Sequence, residues 1–173
     1  MKVSEKVINE CAKSDPEAGF FLAQFDESCG SKLLEVGAQD CPIPRIMADV
    51  GFDVTSVDLR PAQWKLDDKC KHIVGDFCRM SLGENKYDCV YAVSSIEHFG
   101  LGCYKESIRC LMYDVIAVRK MWELLKVGGN CYISVPFGGK FREVKSPIFV
   151  KDSLKEAVSS DGAMDLSIFD WRV

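Results

Sequence analysis

No stretch of this sequence stays apolar for the ~18 residues that a membrane-spanning helix needs. The opening run MKVSEKVINECAKSD also lacks the apolar core of a secretion signal. The expectation is a soluble, cytoplasmic protein. Nine cysteines are present, yet none forms the Cys-x-x-Cys pair that zinc sites use. An odd count in a chain this size also speaks against a secreted disulfide framework and for reduced, mostly buried thiols. Positive charge is not in excess. The 22 Lys+Arg face 26 Asp+Glu, for a net charge of −4, which is not the basic footprint of a nucleic-acid binder. A G-x-G-x-x-G turn, which the pyrophosphate of a nicotinamide cofactor requires, is also missing. There is no internal repeat, no low-complexity tract and no linker composition, so residues 1–173 read as one domain.

What remains is a globular composition, 47% hydrophobic and 28% charged. A chain this long buries roughly 70% of its unfolded surface, enough for a core without staples. The pattern along it alternates. Residues 4–14 suit a short helix capped by Ser4, and Phe20, Phe21 and Phe25 are expected to pack that segment on the sheet. Lys32 to Gly37 reads as the first strand. Pro42 and Pro44 mark the start of a helix that Gly51 ends. Asp53–Asp58 and the weaker His72–Val74 are the next strands, and Tyr87–Val93 is the clearest one. A helix is predicted from about Ile108 to Lys126, with Val115, Val118, Met121, Trp122 and Leu125 recurring at three- and four-residue steps. Gly128-Gly129 stops it, and Cys131–Pro136 is the fifth strand. Beyond that, 140–149 reads as a loop, 151–159 as a short helix capped by Asp152, and 164–173 as one last strand. Near-continuous apolar strands alternating with helices predict a three-layer, doubly wound, mostly parallel α/β sheet.

In such sheets ligands bind beyond the carboxyl ends of the strands, where the strand order reverses. Four strand ends carry signals. The first is Glu35-Val36-Gly37-Ala38-Gln39-Asp40, where Gly37 lets the backbone approach a ligand closely. The second is Asp58, followed by Leu59. It lies 21 positions after Gly37, near the ~20 expected of an acid that accepts ribose hydroxyls. The third is Gly75-Asp76-Phe77, and the fourth is Ser94-Ser95-Ile96-Glu97-His98-Phe99. Leu124-Leu125-Lys126-Val127-Gly128-Gly129 precedes the fifth strand.

In this order the motifs resemble the class I, Rossmann-like, S-adenosylmethionine-dependent methyltransferases, in a minimal, C-terminally shortened form. The resemblance implies S-adenosylmethionine as cofactor, with Glu35, Gly37 and Ala38 in its first motif and Asp58 and Leu59 at the ribose. It places Asp76 at the adenine amino group, Phe77 on the ring, and the backbone of Ser94 near the methionine end. His98 would begin a helix near the methyl group. As one of two histidines, it is the candidate general base for a hydroxyl-bearing acceptor. His72 sits at a strand start and reads as structural. Pro136-Phe137-Gly138-Gly139 would edge the substrate mouth.

The implied reaction moves a methyl group to a small-molecule acceptor, and no metal is called for. A second reading is a non-enzymatic protein of the same fold, which binds the cofactor or supports a partner. The single-glycine turn and the one last strand favour it. A nicotinamide oxidoreductase is the third, disfavoured by the absent three-glycine turn. The family usually ends with two further strands. Only 164–173 can be placed here, so a second copy of the chain could complete the C-terminal edge of the sheet.

Overall fold

The computed structural model describes residues 2–25, 29–38, 40–63, 70–102, 104, 110 and 112–135. The elements run α1 (Glu5–Ser14), α2 (Pro16–Gln24), β1 (Lys32–Val36), α3 (Ile43–Val50), β2 (Asp53–Asp58), β3 (Cys70–Val74) and β4 (Tyr87–Val93). A 3-10 turn (Ile96–His98), α4 (Tyr113–Leu124) and β5 (Leu125–Ser134) complete the order. The sequence readings of 136–139, 140–149, 151–159 and 164–173 lie outside the described residues, as does the expected helix start at Ile108.

Ser4 caps α1 by accepting from the Val7 amide. Asp15 then caps α2, accepting from the Ala18 amide at 2.9 Å with Pro16 in the first turn. Aspartate then proline is a helix-start signal, so α2 was readable although the sequence analysis assigned no helix there. Gly51 closes α3 in the left-handed region at φ 111°.

The five strands form one parallel sheet in the order β3-β2-β1-β4-β5. The order reverses between β1 and β4, as a doubly wound sheet requires. Successive strand residues face opposite sides. Leu33, Val54, Cys89 and Tyr91 therefore join a core beneath α1, α2 and α3. Leu34, Val57, Val90 and Ala92 join a second core under α4. Phe25 meets Tyr91 and Tyr132 edge-on at 5.0 and 5.5 Å, fixing the end of α2 to β4 and β5. Phe21 is buried as well, whereas Phe20 faces out. Full burial of each such ring stabilises by roughly 1.5–3 kcal/mol.

Three boundaries differ from the sequence reading. α4 spans Tyr113–Leu124 rather than 108–126, and it buries Ala117, Met121 and Leu124. Of the expected core stripe, Met121 and Leu125 are buried, whereas Val115, Val118 and Trp122 are 44%, 40% and 43% exposed. The helix carries apolar residues on more than one face, and the periodicity mixed them. β5 begins at Leu125, not at Cys131, and it ends at Ser134. Its ladder jumps from Tyr87↔Leu125 to Cys89↔Asn130, so Gly128 and Gly129 belong to a bulge inside the strand instead of a turn before it. β3 starts at Cys70, which places His72 in mid-strand.

Five of the eight described cysteines are buried. No helix among the described residues is long and apolar enough to cross a membrane.

Candidate functional site

The carboxyl ends of β1 to β4 surround one cleft. At the end of β1, Gly37 donates its amide to the Val57 carbonyl at 2.7 Å. Its φ is +83°, and an added Cβ would stand 2.5 Å from the Cβ of Ser95. Only glycine fits both constraints. Ser95 is held there by donating its hydroxyl to the Val36 carbonyl at 2.8 Å.

Glu35, two residues earlier, points away from the cleft into the layer between sheet and helices. Among the described residues, neither of its carboxylate oxygens, nor the Tyr91 hydroxyl, has a hydrogen-bond partner. Burial pushes its carboxyl up to about 8, only partly relieved by the neighbouring Cys41 and Tyr91 and raised further by the charge of Asp58. Ala38 is likewise fully buried.

At the end of β2, Asp58 is nearly buried and strongly bonded. Oδ1 accepts from the amide of Arg60 at 2.9 Å and from its Nε at 3.0 Å, and Oδ2 accepts from Nη2 at 3.2 Å. The guanidinium carbon stacks 3.9 Å from the centroid of the Tyr104 ring, and Tyr104 in turn meets His98 edge-on at 5.6 Å. His72 supports this corner from β3. Its Nε2 lies 3.0 Å from the Arg60 carbonyl and its Nδ1 lies 2.8 Å from the Ser56 hydroxyl. The structural role read from the sequence holds, in the interior of β3 rather than at its start.

At the end of β3, Asp76 accepts from the Cys78 amide at 2.9 Å and from the Tyr113 hydroxyl at 3.4 Å. Phe77 packs edge-on against Phe99 at 6.5 Å. Lys120 reaches over from α4 and donates to the carbonyls of Phe77 and Met80. One helix side chain thus braces the whole turn.

At the end of β4, Ser94 adopts φ +39°, rare for a residue with a Cβ and typical of strained functional positions. Its hydroxyl donates to Glu17 at 2.7 Å, and the Ser134 hydroxyl donates to the same oxygen at 2.5 Å. Glu17 thereby ties α2 to the ends of β4 and β5. Beyond it, Glu97 is 2% exposed. Burial, with the nearby charge of Glu17, pushes its carboxyl up to about 8. His98 closes the 3-10 turn rather than opening a helix. Its Nε2 is 3.8 Å from Glu97, beyond hydrogen-bond reach.

Of the residues singled out from the sequence, Gly37, Asp58, Leu59, Asp76, Phe77, Ser94 and His98 all line this cleft. Glu35 and Ala38 do not, and both are fully buried. Arg60, Tyr104 and Tyr113 also line it, and the sequence reading passed over them. Arg60 had a signal, a base two residues after the strand-end acid. Tyr104 ends the run Gly100-Leu101-Gly102-Cys103-Tyr104, which resembles methyltransferase-like families of unassigned function, but its place beside Arg60 depends on the fold.

The model of the methyltransferase domain family matches residues 34–133. No curated protein matches the sequence. Among solved structures, the fold resembles 1,6-didemethyltoxoflavin-N1-methyltransferase of Burkholderia thailandensis, bound to 1,6-didemethyltoxoflavin and S-adenosylhomocysteine. That match has a TM-score of 0.60 and 14% identity, over 90% of this chain and 64% of that one. A chain in the complex of the Haloferax volcanii Trm112 methyltransferase activator with a methyltransferase matches with a TM-score of 0.56 and 15% identity, over 77% and 57%. The amino pentose methyltransferase CalS10 of Micromonospora echinaspora, bound to S-adenosylmethionine, matches with a TM-score of 0.51 and 19% identity, over 77% and 49%. The chain therefore spans less than two thirds of each of these structures.

Proposed function

Because the chain belongs to the methyltransferase domain family, we propose that it binds S-adenosylmethionine in this cleft and transfers the methyl group to a small-molecule acceptor. The observation that carries this reading is the convergence of four strand ends on one cleft. Asp58, Asp76 and Phe77 stand on one side, with Gly37, Ser94 and His98 on the other. The donor set fits an adenosine with a sulfonium tail. Asp58 offers acceptors to ribose hydroxyls, and Asp76 offers one to an adenine amino group. Phe77 gives the base an apolar face. Gly37 and Ser94, which line the cleft at the ends of β1 and β4, stand where the amino-acid end would lie. Glu35 and Ala38 serve from behind, by fixing the course of the Gly37 turn. The cleft presents two carboxylates and a single-glycine turn, suited to a ligand without a pyrophosphate.

When bound, S-adenosylmethionine supplies an electrophilic methyl on a sulfonium that leaves as a neutral sulfide. The chain's own work is to orient the acceptor in line with that methyl, a contribution of about 7–11 kcal/mol in well-oriented systems. His98, on the cleft wall, takes the proton when the acceptor is a hydroxyl.

Calorimetric titration with S-adenosylmethionine and with its demethylated product tests the reading. Wild type is expected to bind both, and Asp58→Ala to lose about 2 kcal/mol or more of that affinity. Absence of binding by either ligand would sink it. A second reading, a cofactor-binding or partner-supporting protein without turnover, is favoured by the single-glycine turn at Gly37. Product formation from labelled S-adenosylmethionine separates the two.

A further inference from the structure

The ribose acid is already engaged by a neighbour. Asp58 carries three hydrogen bonds from Arg60, and two of them fall on Oδ1. A carboxylate offers roughly four acceptor positions, two on each oxygen. A vicinal diol that donates to both oxygens needs one position on Oδ1, where the Arg60 amide and Nε already sit. The diol and the guanidinium cannot both be fully held. The amide cannot yield, because the corner is pinned. The Gly75 amide donates to the Asp58 carbonyl at 2.8 Å, and His72 bonds the Arg60 carbonyl. The side chain must therefore be the group that leaves. It has somewhere to rest. The Tyr104 ring holds the guanidinium by its face, independently of Asp58, and the charge of Asp40 also favours the cation there.

We propose that Arg60 is an affinity-setting latch, which competes with the cofactor's ribose diol for Asp58 and swings aside on the Tyr104 ring when the cofactor binds. This rests on the reading that Asp58 takes the ribose. The latch taxes cofactor and product alike, since both carry the same ribose. Its return to Asp58 after transfer helps to expel the product, so the residue favours turnover over tight retention.

Titration of wild type, Arg60→Ala and Arg60→Lys with S-adenosylmethionine, its demethylated product, adenosine and 2′-deoxyadenosine tests the latch. Arg60→Ala is expected to tighten the three diol ligands by about tenfold, the worth of one charge-assisted hydrogen bond. 2′-Deoxyadenosine offers one hydroxyl in place of the diol, so its gain should be smaller. Arg60→Lys keeps the charge beside Asp58 but not the forked pairing. It should fall between wild type and Arg60→Ala, and it reports on the latch even if the alanine variant unfolds around its uncompensated carboxylate. Unchanged or weaker binding of the diol ligands by the variants overturns the latch and leaves the cofactor reading intact. An equal gain for 2′-deoxyadenosine overturns it too, because the gain would then owe nothing to the diol. If neither wild type nor any folded variant binds the adenosine ligands, the cofactor reading itself falls, and the latch with it.

Discussion

Gly37 shows how much a single position carries. Its φ of +83° and the 2.5 Å approach to Ser95 act together, since one restricts the backbone and the other the space. Gly37→Ala is expected to lower stability by about 2 kcal/mol or more, measured by urea unfolding. Adding Ser95→Gly should recover the steric part and leave the cost of the left-handed backbone. If the double variant is no more stable than the single one, contact with Ser95 is not the constraint. At this scale the sequence was a good guide to which residues gather. Seven of the side chains picked out as strand-end signals line one cleft, because residue type and distance from a strand end are both local properties. Pairings across the fold were not legible in the same way. That Arg60 lies on Tyr104 depends on where the loop after the 3-10 turn returns.

Among elements, α2 has the clearest dependence on one side chain. Glu17 accepts from hydroxyls at the ends of both β4 and β5, so a single carboxylate links a helix to two strands. Glu17→Ala should loosen α2. The expected readout is faster amide exchange over Pro16–Gln24 and a stability loss of about 1–3 kcal/mol, typical of a part-buried charged acceptor with two donors. Glu17→Gln keeps an acceptor oxygen and should retain most of the exchange protection. If alanine and glutamine variants exchange equally fast, the hydrogen bonds are not what holds the helix. The Lys120 brace works similarly on the turn carrying Asp76 and Phe77. Lys120→Met should weaken adenosine binding about threefold to tenfold in calorimetry, through a looser turn and with no lost ligand contact. The order of the strands was readable because the first three are short runs closed by glycine or an acid and β4 is a plain apolar run. The face of α4 was not readable. An apolar residue on an exposed helix face looks the same in sequence as one in the core, and only packing against β4 and β5 selects Ala117, Met121 and Leu124. The bulge at Gly128-Gly129 escaped for a related reason, since two glycines serve a turn or a bulge equally well.

Across the whole molecule, the sheet is organised around two buried acids whose charge the fold opposes. The carboxyls of Glu35 and Glu97 are both pushed up to about 8, above all by burial. In the unfolded chain they titrate near the usual glutamate value of about 4.3. Between those values the folded protein keeps protons that the unfolded chain has released. Stability from these groups is therefore greatest below about pH 4.5 and falls as the pH rises toward about 8. Glutamine has nearly the shape of a protonated glutamate and never ionises. Glu35→Gln should therefore be more stable than wild type at about pH 8 and similar to it at about pH 5, in urea titrations at the two values. The difference should shrink steadily as the pH is lowered, because the penalty being removed belongs to the ionised form. A uniform gain or loss across the range would mean that packing, and not the proton, decides the effect. A buried acid directly behind the Gly37 turn also links stability to the cleft. Part of its raised affinity for the proton comes from the charge of Asp58. Neutralising Asp58 should therefore lower the Glu35 titration and soften the fall in stability, with the two sites sharing one field through the first two strands.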